Sequence, residues 1–353
     1  MGRIMAIKYL SGKRVQGTSA ERTSLNLASP PQTSWKKLAT GTISSGSQTG
    51  QTSSFTAKDN LMILGNIQGG NGLYYQFNSD TGDTNNYTLR YSSDGTTGTQ
   101  TSRDEIWCYN SGADDQKFNV TECSNYNGYE KFAYMKTQSR ASSSQLRNSK
   151  AVGKWQGTAQ ITQVQMGSWA NTTGGEFLVL GCDDDESDSG SNFWQPLTTK
   201  TLTSSTSDFT TDTFDAKKWL FFILSKEKTG GYVNPKMRFN ADTNDNYQNR
   251  YTDDTNNPTS NTGGDSSRIY LRAGEADGRS FTYGYIYNNP TKVKQVITDT
   301  VNAGSEGAGT SIGLHQAMGT WENTSDSITS INMTETASGS FASGTVLQVW
   351  GGE

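Results

Sequence analysis

The sequence predicts an all-β protein made of two tandem, internally duplicated antiparallel β-sandwiches of jelly-roll or concanavalin-like type. The first observation is compositional. Only 18% of the 353 residues are charged and 31% hydrophobic, yet the chain holds 8 Trp, 16 Tyr and 13 Phe. That aromatic content is a packed core's, not a disordered tail's. The second is local: aromatic and β-branched residues stand between clusters of Gly, Asn, Asp, Ser and Thr, the residue types that strands and turns require. The third is an internal repeat, the strongest signal in the chain.

The repeat begins at SWKKLATGTISSGSQTGQTSSFTAKDNLMIL (34–64), which matches FWQPLTTKTLTSSTSDFTTDTFDAKKWLFFI (193–223). Trp35 aligns with Trp194, Leu38 with Leu197, Phe55 with Phe214, and Ala57-Lys58 with Ala216-Lys217. Next, YQFNSDTGDTNNYTLRY (75–91) meets MRFNADTNDNYQNRY (237–251), RDEIWCY (103–109) meets SRIYLR (267–272), and KFAYM (131–135) meets SFTYG (280–284). The series closes with GKWQGTAQITQVQM (153–166) against GTWENTSDSITSINM (319–333), and FLVLG (177–181) against VLQVWG (346–351). A repeat of about 150–160 residues is a domain and not a solenoid unit. The boundaries expected are a basic arm at 1–32, a first sandwich at 33–182, an acidic linker at 183–191 and a second sandwich at 192–353.

Inside each unit the matched segments read as strands. FLVLG and LMILG are short apolar runs bounded by turn residues, and ITQVQM and ITSINM alternate with period two. The spacing suggests about eight strands per unit. TKVKQVITDTV (291–301) is the one stretch that could be helical. Trp35/Trp194 and Trp155/Trp321 are matched pairs and are assigned to the core. The unmatched Trp107, Trp169, Trp219 and Trp350 are candidates for surface platforms, with burial favoured for each.

The three cysteines, Cys108, Cys123 and Cys182, have no metal-site spacing. The second copy has none, with Leu271 where Cys108 falls. Free buried thiols are expected, although a Cys108–Cys123 bridge is geometrically open. His315 is the only histidine and belongs to no recognisable triad or metal set, so no enzymatic activity is expected.

Residues 1–37 carry seven cationic side chains against Glu21 alone, while the whole chain has net charge −4. A basic arm on an acidic body points to docking of the arm in an assembly, and away from nucleic-acid binding by the folded part. No signal peptide is recognisable, and no apolar run is long enough for a membrane helix.

Two features carry chemistry. The repeated FN-x-DT…NY phrase places Asn78 and Asp80, then Asn240 and Asp242, in a turn between strands. Asn and Asp suit such a turn, and the same groups could meet Ca²⁺ or sugar hydroxyls. The run CDDDESDSGSN (182–192) gathers Asp183, Asp184, Asp185, Glu186 and Asp188. It reads as a solvated linker, with weak Ca²⁺ binding as the alternative; no cofactor is required.

At FNSDTGDTNNYTLRY and FNADTNDNYQNRY the chain resembles lectin-like β-sandwich structural proteins of tailed phages and related viruses. The opening MAIKYLSGKRVQGTSAERTSL and the following SW-x-x-L resemble uncharacterised marine viral and microbial proteins. The resemblance implies a non-enzymatic virion surface protein: a tail-fibre, receptor-binding or capsid-decorating subunit. Its partners would be copies of itself, other particle proteins and a host-surface glycan. The alternatives are a double jelly-roll capsid shell protein and a secreted lectin or glycan-active protein.

Overall fold

The computed structural model describes residues 35–353 apart from 81–84, 94–95, 109–115, 141–145, 184–191, 228–232, 253–257, 262–266, 272–278, 304–311 and 336–338. The basic arm expected at 1–32 lies outside the described residues, and so does the linker beyond Asp183. No helix occurs among the described residues. The first half contains β1 (Lys36–Ile43), β2 (Thr49–Gln51), β3 (Asn60–Gly69), β4 (Leu73–Phe77), β5 (Tyr87–Ser93), β6 (Thr96–Arg103), β7 (Ile106–Cys108), β8 (Gln116–Ser124), β9 (Lys131–Arg140), β10 (Leu146–Trp155), β11 (Val164–Gly167) and β12 (Thr172–Cys182). The second contains β13 (Gln195–Thr201), β14 (Asp208–Thr210), β15 (Trp219–Lys226), β16 (Pro235–Phe239), β17 (Tyr247–Thr252), β18 (Pro258–Asn261), β19 (Ile269–Tyr270), β20 (Ser280–Tyr287), β21 (Lys294–Ala303), β22 (Ile312–Trp321), β23 (Ile331–Glu335) and β24 (Val346–Gly352).

Each half is a sandwich of a large and a small sheet. In the first, the large sheet runs β1-β12-β3-β8-β9-β10-β5-β6 and the small one β2-β11-β4-β7. In the second, they run β13-β24-β15-β20-β21-β22-β17-β18 and β14-β23-β16-β19. Each strand of the second half stands where its counterpart twelve earlier stands in the first. The duplicated text therefore encodes one strand order twice. The pairings are antiparallel.

The strand alternation explains the layers. Along β3, Leu61, Ile63 and Ile67 enter the core of the first sandwich, where they meet Tyr75, Phe77 and Val164 from the small sheet. The intervening Met62 and Leu64 point the other way and are also buried. With Phe118, Val120, Leu178 and Leu180 they pack against Trp219, Tyr285, Tyr287, Ile297 and Met318 of the second half. The two large sheets are thus stacked outer face to outer face, giving four layers: small, large, large, small. A strand buried on both faces needs a continuous apolar run, which is what LMIL and FLVL supply.

Several polar groups inside this interface are paired across it. Asn66 Nδ2 donates to Gln295 Oε1 at 2.8 Å, Gln138 Nε2 to the Gly319 carbonyl at 2.9 Å, and Arg250 Nη1 to the Leu146 carbonyl at 2.7 Å. Lys136 Nζ sits 2.5 Å from Asp299 Oδ2. Glu176 accepts from Lys218 Nζ at 2.9 Å and from the Tyr287 hydroxyl at 2.7 Å.

Burial alone would raise the Glu176 pKa, but the bonds from Lys218 and Tyr287 and the Lys218 charge outweigh it and leave the carboxyl below its ordinary 4.5. An acid depressed in the folded state stabilises above its unfolded pKa, and that contribution is lost as pH falls through the folded value. Glu176→Gln should therefore lower the urea midpoint at pH 7, and the difference from wild type should shrink as pH is taken down from 4.5. A difference that stayed constant across that range would contradict this role for the ion pair.

Four expectations are corrected. Among the described residues each half has twelve strands rather than about eight, because edge strands such as β6 (TTGTQTSR) are mostly exposed and carry no apolar alternation. Residues 291–301 are not helical: β21 runs through Lys294–Ala303 between β20 and β22. Its Val296 and Ile297 point to opposite faces of a sheet that is covered on both sides. KFAYM does not correspond to SFTYG. Lys131 opens β9 and its counterpart is Lys294 at the start of β21, whereas SFTYG lies in β20, the counterpart of β8. Trp35 and Trp194 belong to the cluster between the sandwiches, not to a sandwich core. Cys108, Cys123 and Cys182 are free and buried, and burial pushes the Cys108 and Cys123 thiols up to about 12.

Candidate functional site

The duplicated Asn-Asp turn comes out as the same clasp twice. Asn78 and Ser79 have φ of 53° and 59°, and Asn240 and Ala241 have 51° and 55°. Asn tolerates this left-handed geometry better than other residues with a Cβ. Asn78 Oδ1 accepts from the Thr162 and Gln163 amides at 2.8 and 3.2 Å, and its Nδ2 donates to the Gln160 carbonyl at 2.9 Å. Asn240 repeats this with the Thr329 and Ser330 amides at 2.9 and 3.1 Å and the Ser327 carbonyl at 2.8 Å.

The aspartates turn inward. Asp80 Oδ2 accepts from Trp155 Nε1 at 2.7 Å and Asn86 Nδ2 at 3.1 Å. Asp242 Oδ2 accepts from Trp321 Nε1 at 2.8 Å and Asn246 Nδ2 at 3.0 Å. Behind each clasp a tyrosine stacks on the tryptophan, Tyr87 on Trp155 and Tyr247 on Trp321, at interplanar angles of 21° and 16°. The turn reading of FN-x-DT…NY accounts for every one of these bonds.

Of the acidic run, Asp183 is tied to the first sandwich: Oδ2 accepts from Lys58 Nζ at 2.7 Å and Oδ1 from the Asp59 amide at 3.0 Å. Asp184, Asp185, Glu186 and Asp188 lie outside the described residues. No group of three metal-ligating side chains occurs among the described residues.

A different surface gathers the chemistry. On the small sheet of the first half, Tyr75 and Phe77 point into the core, so Tyr74 and Gln76 point out. Strand register sets Gln51, Gln165 and Gln76 side by side across β2, β11 and β4. Continuing the β4–β7 register by one residue brings Glu105 to the end of that row. Gln165 Nε2 donates to Gln76 Oε1 at 2.5 Å, and Gln76 Nε2 to the Asp104 carbonyl at 3.1 Å. The adjacent row holds Tyr74 opposite Trp107.

Trp169 lies over this row. Its ring is 6.4 Å from Tyr74 at 26° and 5.3 Å from Trp107 at 76°, and its Nε1 donates to Glu105 Oε1 at 3.4 Å. Trp169 is 37% exposed, whereas Trp107 and Tyr74 beneath it are 6% and 9%. Gly72 permits the approach: its φ is +73°, and a Cβ there would meet the Trp169 ring at 2.5 Å. Burial raises the Glu105 pKa above 4.5, against the opposing Trp169 bond and the Arg103 charge.

The second half puts other chemistry in the same frame. Lys236 stands where Tyr74 does and Tyr270 where Trp107 does, with the lysine Nζ 4.0 Å from the Tyr270 ring centre. Arg238 and Arg268 take the places of Gln76 and Glu105. The platform with its carboxamide row thus belongs to the first half. The outward alternation of Tyr74 and Gln76 in LYYQF is its trace in the sequence. The row itself is made by register between strands far apart in the chain.

No protein-family model matches the chain, and no curated protein matches it. Among solved structures it is similar to mouse laminin alpha1 chain domains LG4-5, at 10% identity over 91% of each chain with a TM-score of 0.21. It is also similar to Ail, the attachment invasion locus protein of Yersinia pestis, at 8% identity over 75% of this chain and 98% of that one, with a TM-score of 0.10. A third is Pseudomonas aeruginosa OpdQ, at 10% identity over 82% and 97%, with a TM-score of 0.11. At such scores these likenesses add nothing to the strand order already described.

Proposed function

We propose that this chain is a non-enzymatic structural subunit of a virion or comparable extracellular surface, and that it meets a host-surface glycan through the Trp169 face. The observation that carries this reading is the pairing of a partly exposed indole with a row of planar amide and carboxyl groups. Sugar rings present apolar C–H faces that stack on indole, while their hydroxyls both donate to and accept from Gln and Glu side chains. A rigid sheet holding both sets in register supplies the preorganisation such weak contacts need. The four-layer body also suits a structural subunit, since its two small-sheet faces lie on opposite sides, open to a receptor and to neighbouring subunits.

The secreted-lectin reading shares the same face and differs only in where the protein resides. Glycan-array binding of the full chain, together with electron microscopy of the native assembly, separates the two. Trp169→Ala should weaken binding to any glycan that the wild type retains by at least about tenfold, the effect of losing one stacking partner. Glu105→Gln should weaken it less, and neither should change the melting temperature greatly, because Trp169 is 37% exposed and Gln keeps the size and shape of Glu105. Absence of binding to every glycan, or cleavage of one, would overturn the proposal.

A further inference from the structure

The interior face of each large sheet changes character along its strands. In the second half it begins with Leu220, Ile286 and Val296 and ends, three cross-strand rows later, with Lys226, Ser280, Asn302 and Gly313. This last row is polar yet closed from solvent: Lys226, Ser280 and Asn302 are 2%, 5% and 4% exposed. One row in, His315 faces the same space beside Thr300.

The first half has the same gradient and closes most of it internally, leaving only the Ser139 hydroxyl of that end without a partner. Its last row is Ile67, Lys117, Ser139 and Arg147. The Lys117 ammonium there donates to the Gly69 and Gly70 carbonyls at 3.1 and 3.0 Å. In the second half the lysine has moved one strand over, and serine and glycine replace Lys117 and Arg147. Asn302 Oδ1, Asn302 Nδ2 and Ser280 Oγ all lack a hydrogen-bond partner there. Buried amides are almost always satisfied, so an amide open at both ends calls for a group from outside the chain.

We infer that this end of the second sandwich is a binding niche for a small neutral polyol or monosaccharide, held by Asn302 and Ser280 and flanked by Lys226 and His315. The open groups select that chemistry. Asn302 Oδ1 requires a donor, Nδ2 requires an acceptor, and the Ser280 hydroxyl serves as either. Neighbouring hydroxyls on one small molecule supply both. A carboxylate or phosphate offers acceptors alone and would set an oxygen against Oδ1. The niche lies in the other half from the Trp169 face and does not depend on it.

The test is a titration of the full chain with glycerol, with glucose and with acetate, read from the side-chain amide and imidazole NMR signals. Saturable shifts are expected with a polyol and not with acetate, and Trp169→Ala should leave them unchanged. Asn302→Leu, close in size, should weaken polyol binding at least tenfold without lowering the melting temperature, because it removes an unsatisfied amide. Ser280→Ala, a smaller change, should weaken it severalfold and guards against misfolding of the first variant. No saturable shift with either polyol, an equal response to acetate, or undiminished binding in both variants would overturn the inference. A lowered melting temperature in Asn302→Leu with no polyol binding by the wild type would mark an amide satisfied by water alone, and would overturn it too.

Discussion

Replacing Lys136 by alanine should lower the unfolding free energy by about 3–5 kcal/mol, and Asp299→Ala should cost about as much, because each leaves a buried charge without its partner. The two side chains are only 5% and 15% exposed and lie 2.5 Å apart. Their positions correspond: each falls five residues after the buried lysine that opens its strand, Lys131 in β9 and Lys294 in β21. Lys136 also donates to the Tyr283 hydroxyl at 2.9 Å, and Asp299 Oδ1 accepts from Gln316 at 3.1 Å. Burial would depress the lysine pKa, but the Asp299 charge and bond raise it well above 10.5, so Lys136 stays charged across the usual working range.

Desolvation offsets much of the attraction in such a pair, and its removal as a unit is far cheaper than its halving. Lys136→Met combined with Asp299→Leu should therefore recover most of the stability lost in either alanine variant. Urea unfolding of both single variants and the double variant closes the cycle. Losses below about 1 kcal/mol that simply add would show that this contact does not couple the halves.

Trp155→Ala and Trp321→Ala should each cost about 3–5 kcal/mol, the range for deleting a buried tryptophan. Each ring packs edge-on or tilted against a core phenylalanine, Phe77 or Phe239, and stacks on a tyrosine whose hydroxyl accepts from that phenylalanine's amide at 2.9 or 3.0 Å. Trp→Phe at either position should cost less, about 1.5–3 kcal/mol for the lost bond to the carboxylate together with some packing. Asp80→Ala and Asp242→Ala separate the turn reading from the ligand reading. A structural clasp predicts lower melting temperatures and an unchanged response to Ca²⁺ or chelator. A Ca²⁺-dependent melting temperature in the wild type that vanished in these variants would revive the ligand reading.

Much of the fold was legible because duplication repeats the signals that local physics reads best. The tryptophan pairs, the Asn-Asp turns and the strand ITQVQM with its counterpart ITSINM recur in order, and each occupies an equivalent place in its half. The clasp was legible as a turn, since Asn at positive φ is a local property of the backbone. Its indole-to-aspartate bond was not, because Trp155 and Asp80 are 75 residues apart in sequence. The pairing of KFAYM with SFTYG failed for a related reason. Aromatic alternation looks alike in neighbouring strands of one sheet, while the true marker was a buried lysine, Lys131 or Lys294, held by loop carbonyls.

The sequence by itself determined the class of structure, the twofold repetition and the inward Trp155 and Trp321. These follow from alternation and turn chemistry, which are local, and from matching one segment of the chain directly against another. Only the tertiary structure decided that the two large sheets stack on one another, that Lys136 finds Asp299, that Gln51, Gln165, Gln76 and Glu105 form a row beside the Tyr74 and Trp107 rings under Trp169, and that Asn302 is enclosed with its amide unmet. Each of these depends on which strands become neighbours and in what register. That choice is made by the collective burial of both faces of the sheets, to which any one segment contributes only a part.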